Sequence, residues 1–226
     1  MRDRFEDTKA EWLEARAAEY FERLFGRDAV FRSLRYPDPD QPPGRAEAEV
    51  DLLVRWGRFL LIVEAKARQF RLKGQLGDVG RLRDDLRVNV DQAFSQALRV
   101  RRHLELNTPA VFRDAATNGT VAVDRSQMDG VYLVTVSLHF LGGAARRLSK
   151  LRALGLLTAG EYPWAISISE LDLITRVAEG PDILLHYQER RRQIEQREEF
   201  PLNDDLDLFA VYLVLLCHKS EVATGG

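Results

Sequence analysis

The sequence predicts an α/β protein with a mixed central sheet and helices on its faces. Three observations predict it: an amphipathic helix opens the chain, three short strands follow within the first 67 residues, and a second long amphipathic helix precedes an apolar, β-branched strand. The order over the first 140 residues is therefore α-β-β-β-α-β.

Each element has a local reason. Residues 8–25, "TKAEWLEARAAEYFERLF", carry apolar side chains at helical spacing and stop at Gly26, a C-cap residue. Residues 30–36 read as a short strand, and "PDPDQPPG" at 37–44 is a connection no helix could cross. Strands are expected over 48–56 and 59–67. The spacing then predicts a helix over 82–106, with Val88, Ala93, Phe94, Ala97, Leu98 and His103 facing inward and Asn107-Thr108-Pro109 ending it. Residues 110–128 carry no clear period, and "GVYLVTVSLHF" at 130–140 is strand-like. Further on come a helix over 144–157 and a short strand in "PWAISIS". Ser169 with Asp172 forms a capping-box pattern for a helix to about 178, and Pro181 after Gly180 opens the last predicted helix. The expected division is a core over 1–140 and a mainly helical α/β extension over 141–226 packed on it.

Composition narrows the function classes. With 226 residues, 45% hydrophobic and 30% charged, the chain is long enough for a sizeable core and reads as a cytoplasmic protein with no membrane span and no signal-like leader. A single cysteine, Cys217, excludes an internal disulfide and a thiolate zinc cluster. The four histidines lack metal-ligand spacing, and no phosphate-binding G-x-x-x-x-G-K-[ST] loop occurs. Net charge is −2, but ten Lys and Arg against four acids lie between residues 65 and 103. That stretch is either a nucleic-acid-facing patch or a solvated helical face.

The chemistry-bearing segment is "EAEVDLLVRWGRFLLIVEAKA", residues 47–67. Gly57-Arg58 suits a two-residue type II′ turn, which makes Trp56 pair with Phe59. Register follows: Val54 lies across from Leu61, Asp51 from Glu64, and Glu49 from Lys66, so these four charged side chains are expected on one side of the hairpin. Two carboxylates face to face repel unless a proton or cation lies between them. Oxygen ligands of this kind suit Mg²⁺ or Mn²⁺. The plain alternative is a surface pair of Lys66 with Glu64 or Glu49 on an edge strand. On a helical wheel Glu14 falls on the apolar face with Ala18, Phe21 and Phe25, where a carboxylate has either a partner or a frayed helix end to escape to.

A helix with an inward glutamate, a strand, E-x-D on the next strand, E-A-K on the third, and Gln92-Ala93 on the following helix together resemble the PD-(D/E)XK nuclease superfamily, nearest its NERD-like and restriction-endonuclease-like branches. The resemblance covers residues 8–140 and implies a restriction-endonuclease-like core. By that resemblance Asp51 and Glu64 are the metal-binding acids and Lys66 the catalytic lysine. Glu14 is the first-helix glutamate, the Ala65 carbonyl a further metal ligand, and Gln92 a side chain reaching toward the site. The literal Pro-Asp pairs of the chain are Pro37-Asp38 and Pro39-Asp40, whereas Val50 precedes Asp51. Asp51 is preferred because Asp38 lies in a proline-rich loop without a strand partner.

The implied activity is metal-dependent hydrolysis of DNA or RNA, with DNA favoured as partner and Arg68, Lys73 and Arg81 of the basic stretch holding phosphates. The resemblance leaves room for a homodimer or a larger defence or repair assembly. The competing reading is a binding or assembly module on the same fold without catalysis.

Overall fold

The computed structural model describes residues 2–42, 44–68, 79–114, 116–140, 148, 163–195 and 204–224. It is an α/β architecture whose mixed seven-stranded sheet runs in the order β5-β4-β1-β2-β3-β6-β7. The strands are β1 (Val30–Pro37), β2 (Glu47–Trp56), β3 (Phe59–Lys66), β4 (Ala110–Asp114), β5 (Thr120–Val123), β6 (Gly130–Ser137) and β7 (Trp164–Ser167). Neighbours from β5 to β3 are antiparallel, and β3, β6 and β7 are parallel to one another. The helices are α1 (Arg2–Phe25), α2 (Val79–Leu86), α3 (Gln92–Leu106), α4 (Ile168–Val177), α5 (Pro181–Glu195) and α6 (Asp205–Thr224).

Two apolar clusters sandwich the sheet. On one face Leu13, Ala17, Phe21 and Phe25 of α1 join Leu52, Val54, Leu61, Val63 and residues of α4, α5 and α6. On the other, Phe94, Ala97, Val100 and Leu104 of α3 cover Leu34, Val50, Leu53, Leu60 and Ile62. β3 is central and covered on both sides, so the continuous apolar run "LLIV" needs no alternation. α1 ends as its sequence predicts: Gly26 takes φ 87° and its N–H returns to the Glu22 carbonyl at 2.9 Å.

Several elements differ from the sequence reading. The helix expected over 82–106 is built as α2, a π-turn over Arg87–Asp91, and α3; within it Val88 and Leu98 are only partly buried, whereas His103 is buried between Tyr36 and Phe112. β4 and β5 pair antiparallel and extend the sheet beyond β1. The capping box belongs to Ser167 and Glu170, not Ser169 and Asp172. β7 runs directly into α4, so the cap falls on the last strand residue. Asp172 instead pairs with Arg23 of α1 and Arg176, both at 2.9 Å, tying α4 to α1. Of the helix expected over 144–157 only Leu148, helical and buried, is among the described residues, and α6 had no expected counterpart. Among the described residues no helix is long and apolar enough to cross a membrane.

Candidate active site

The β2-β3 hairpin turns at Gly57-Arg58 as its sequence requires, with Gly57 at φ 57° and Trp56 paired to Phe59. Main-chain pairing continues through Val54↔Leu61 to Leu52↔Val63, the expected register. One step further, the Asp51 carboxylate replaces a main-chain partner: its Oδ2 accepts the Ala65 N–H at 2.7 Å. The strands part at the point where the acids begin.

The backbone prepares this on the β1 side. β1 and β2 pair as Val30↔Val54 through Arg32↔Leu52 and again as Leu34↔Val50 onward, and the ladder skips Ser33 and Asp51 between them. Ser33 sits at φ 48°, one of two non-glycine residues with positive φ among those described. Leu52 and Val54 pack under α1 whereas Val50 packs under α3, although an unbroken strand would place all three on one face. The matching change in β1 puts Val30 under α1 but Leu34 and Tyr36 under α3. Both strands thus change face together at Ser33 and Asp51, without a slip in register. Sequence reasoning missed Ser33. Its only signal is a small polar residue opposite an acid.

The result is a compact charge cluster. Lys66 Nζ lies 3.8 Å from Asp51 Oδ2 and 3.7 Å from Glu64 Oε2, within ion-pair range but beyond a hydrogen bond. Glu64 is 0% exposed, and neither of its oxygens meets a donor. Burial raises its pKa well above the usual carboxylate range; the Asp51 charge raises it further, and Lys66 opposes both. A hydrogen bond between the Glu64 and Asp51 carboxyls exists only when one carries a proton. Glu14, reaching in from α1, is pushed up to about 7, first by burial, then by Asp51, with Lys66 pulling the other way. Beside Glu64 in the β3-β6 register is Thr135, whose buried hydroxyl also has no partner. Among the described residues Lys66 is the one cation within ion-pair distance of Asp51 and Glu64.

The structure brings Asp51, Glu64, Lys66 and Glu14 together, with the Ala65 main chain against Asp51. Glu49, expected on the same side, is exposed and pairs with Arg35 at 3.4 Å, because the skipped alternation at Asp51 separates the two acids. Gln92 is exposed at the start of α3; one turn later Gln96 has a buried Oε1 without a partner, which sequence reasoning passed over. Arg68 is exposed just past β3, Arg81 lies on α2, and Lys73 is outside the described residues. Asp38 pairs with Arg99 of α3 at 3.6 Å, and Asp40 with Arg102 at 2.6 Å. Among the described residues no group of three Asp, Glu, His or Cys side chains is arranged to hold a metal ion. An ion on the Asp51–Glu64 pair would thus complete its shell with main-chain and water oxygens, as Mg²⁺ commonly does. The orphaned Glu64 oxygens fit that role.

Neither a family model, nor a curated protein, nor a solved structure matches the chain.

Two outcomes follow from this geometry. Between the ordinary glutamate value and about 7, native Glu14 keeps a proton that the unfolded chain has lost, so stability falls as pH rises through that window. Urea unfolding in a chelator, compared at about pH 5 and about pH 7.5, is expected to show this fall, and Glu14→Gln to flatten it. At Ser33, glycine accepts the positive φ freely, whereas a β-branched residue does not. Ser33→Gly is expected to leave stability unchanged or raise it by up to about 1 kcal/mol, and Ser33→Val to lower it by about 1 kcal/mol or more. Amide exchange at Ala65 should quicken in Ser33→Val alone, because Asp51 no longer reaches that N–H.

Proposed function

We propose that the protein is a metal-dependent nuclease of the restriction-endonuclease-like PD-(D/E)XK type, hydrolysing phosphodiester bonds of DNA or RNA. The observation that carries the reading is a buried carboxylate, Glu64, that has no hydrogen-bond donor and lies beside Asp51 with the Lys66 ammonium close to both. A buried acid pair of this kind is costly to a fold that makes no use of it. It becomes favourable when a divalent cation is bound.

In this reading Asp51, Glu64 and the Ala65 carbonyl hold Mg²⁺ or Mn²⁺, which supplies Lewis-acid polarisation of the phosphate and a more acidic water. Among the described residues Lys66 is the one cation within ion-pair distance of both acids. It offsets the charge that develops on the phosphate oxygens and orients the attacking water. Glu14, with a pKa brought to about 7 by burial and Asp51, is matched to accept a proton near neutral pH. Arg68 is exposed at the end of the lysine strand, and with Lys73 and Arg81 it would bind backbone phosphates, which set affinity without reading sequence.

The test is cleavage of plasmid and single-stranded DNA and of RNA with Mg²⁺, with Mn²⁺ and with EDTA. Cutting is expected with either metal and not in EDTA. Asp51→Ala, Glu64→Ala and Lys66→Ala are each expected to lower the rate by about a hundredfold or more with the circular dichroism spectrum of the folded protein retained, and Glu64→Ala to do so at an unchanged or higher Tm. Arg68→Glu with Lys73→Glu and Arg81→Glu should weaken substrate binding and reduce its salt dependence. Binding that persists without any metal-dependent cutting would leave a non-catalytic nucleic-acid module. Full activity in Glu64→Ala would overturn the mechanism.

A further inference from the structure

A second site lies away from the acids, between α5 and α6. There a cavity of about 350 Å³ is walled by apolar side chains, among them Ile194, Leu208, Val211, Tyr212 and Leu215. Its volume is in the range of small-molecule pockets. None of its lining residues belongs to the carboxylate site.

One cation at the rim of this cavity, the exposed Arg190, has no carboxylate partner among the described residues. Arg191 is buried and matched by Asp205, Nε to Oδ1 at 2.8 Å. Arg190 is different: its Nε donates to His186 Nε2 at 3.3 Å and its Nη1 to the Gln193 amide oxygen at 3.3 Å. Neither acceptor is a carboxylate. Because His186 Nε2 accepts from a guanidinium, its proton is on Nδ1, which donates to the Tyr212 hydroxyl at 2.9 Å, and that hydroxyl donates to the Ile183 carbonyl at 3.2 Å. The chain of bonds holds the guanidinium in place without neutralising it. Among the described residues no carboxylate lies within ion-pair distance of Arg190, and a guanidinium has more N–H groups than these two acceptors use.

We propose that this cavity binds a small amphiphile, a carboxylate carried on an aliphatic body, with the body among Ile194, Leu208, Val211 and Leu215 and the headgroup on Arg190. Arg190, exposed at the rim, offers the headgroup charge-assisted hydrogen bonds, and the walls take the chain out of water. A protein segment is a poorer occupant, since a stable docking surface buries far more area than one cavity of this size offers. The site is independent of the nuclease reading.

Octanoate is the probe, with octanol as the same body without charge and acetate as the same charge without body. Calorimetric titration of the full chain should give saturable octanoate binding, weaker octanol binding and no acetate binding. Arg190→Gln is expected to weaken octanoate about tenfold or more while leaving octanol unchanged. Val211→Trp, which fills the cavity at a partly exposed position, should abolish both, with the circular dichroism spectrum retained as proof of folding. Octanol binding as tightly as octanoate, an unchanged octanoate affinity in Arg190→Gln, or no binding of either would overturn the proposal. So would a dimer in sedimentation that Leu215→Glu dissociates, since the cavity would then be an interface between copies.

Discussion

Two carboxyl groups in an apolar sheet, with one ammonium shared between them, repel each other unless a proton or a further cation lies between them. Asp51 is anchored by the Ala65 N–H, Glu64 is fully buried without a donor, and Lys66 stands within 4 Å of both but bonded to neither. Burial drives Glu64 toward its neutral form and brings Glu14 to about 7. In the proposed reading a divalent cation would displace that proton, and its arrival would be favoured by the same low-polarity surroundings that make the empty pair costly.

The rest of the architecture delivers that cluster. The tight turn at Gly57 sets the β2-β3 register, the face change at Ser33 and Asp51 opens the sheet where the acids meet, and α1 brings Glu14 across from the other layer. β3 is held on its far side by eight parallel pairs with β6, from Phe59↔Gly130 to Lys66↔Ser137. Glu64 and Lys66 consequently sit on a strand that cannot shift without breaking the centre of the sheet. Sites on such rigid elements hold their geometry more precisely than sites on loops.

What was legible in the sequence is what short-range chemistry decides. A glycine demanding positive φ between two apolar runs announces both a hairpin and its register, and a helical wheel is enough to turn Glu14 inward. The face change was not legible, because "EVDLLV" has the same polar-apolar pattern whether or not alternation skips at Asp51; the skip is settled jointly with Ser33, on another strand. That is also why Glu49 was expected beside Asp51 and is found at the surface with Arg35. The capping box moved from Ser169 to Ser167 because tertiary pairing of β7 with β6 decides where the strand stops. α6 is apolar around most of its circumference, so no period betrayed it. Its inner side packs through Leu208, Phe209 and Tyr212, Val214 is exposed, and Val211 and Leu215, also exposed, line the cavity beside α5.

The most direct test of the central claim is Mn²⁺ binding by calorimetry near pH 6.5 in two buffers of different ionisation enthalpy, with Glu64→Gln as the control. The account predicts binding that releases protons, since the acids must ionise to take up the ion, and loss of both binding and proton release in Glu64→Gln. Binding of Mn²⁺ without proton release, or equal binding by the folded Glu64→Gln protein, would contradict it.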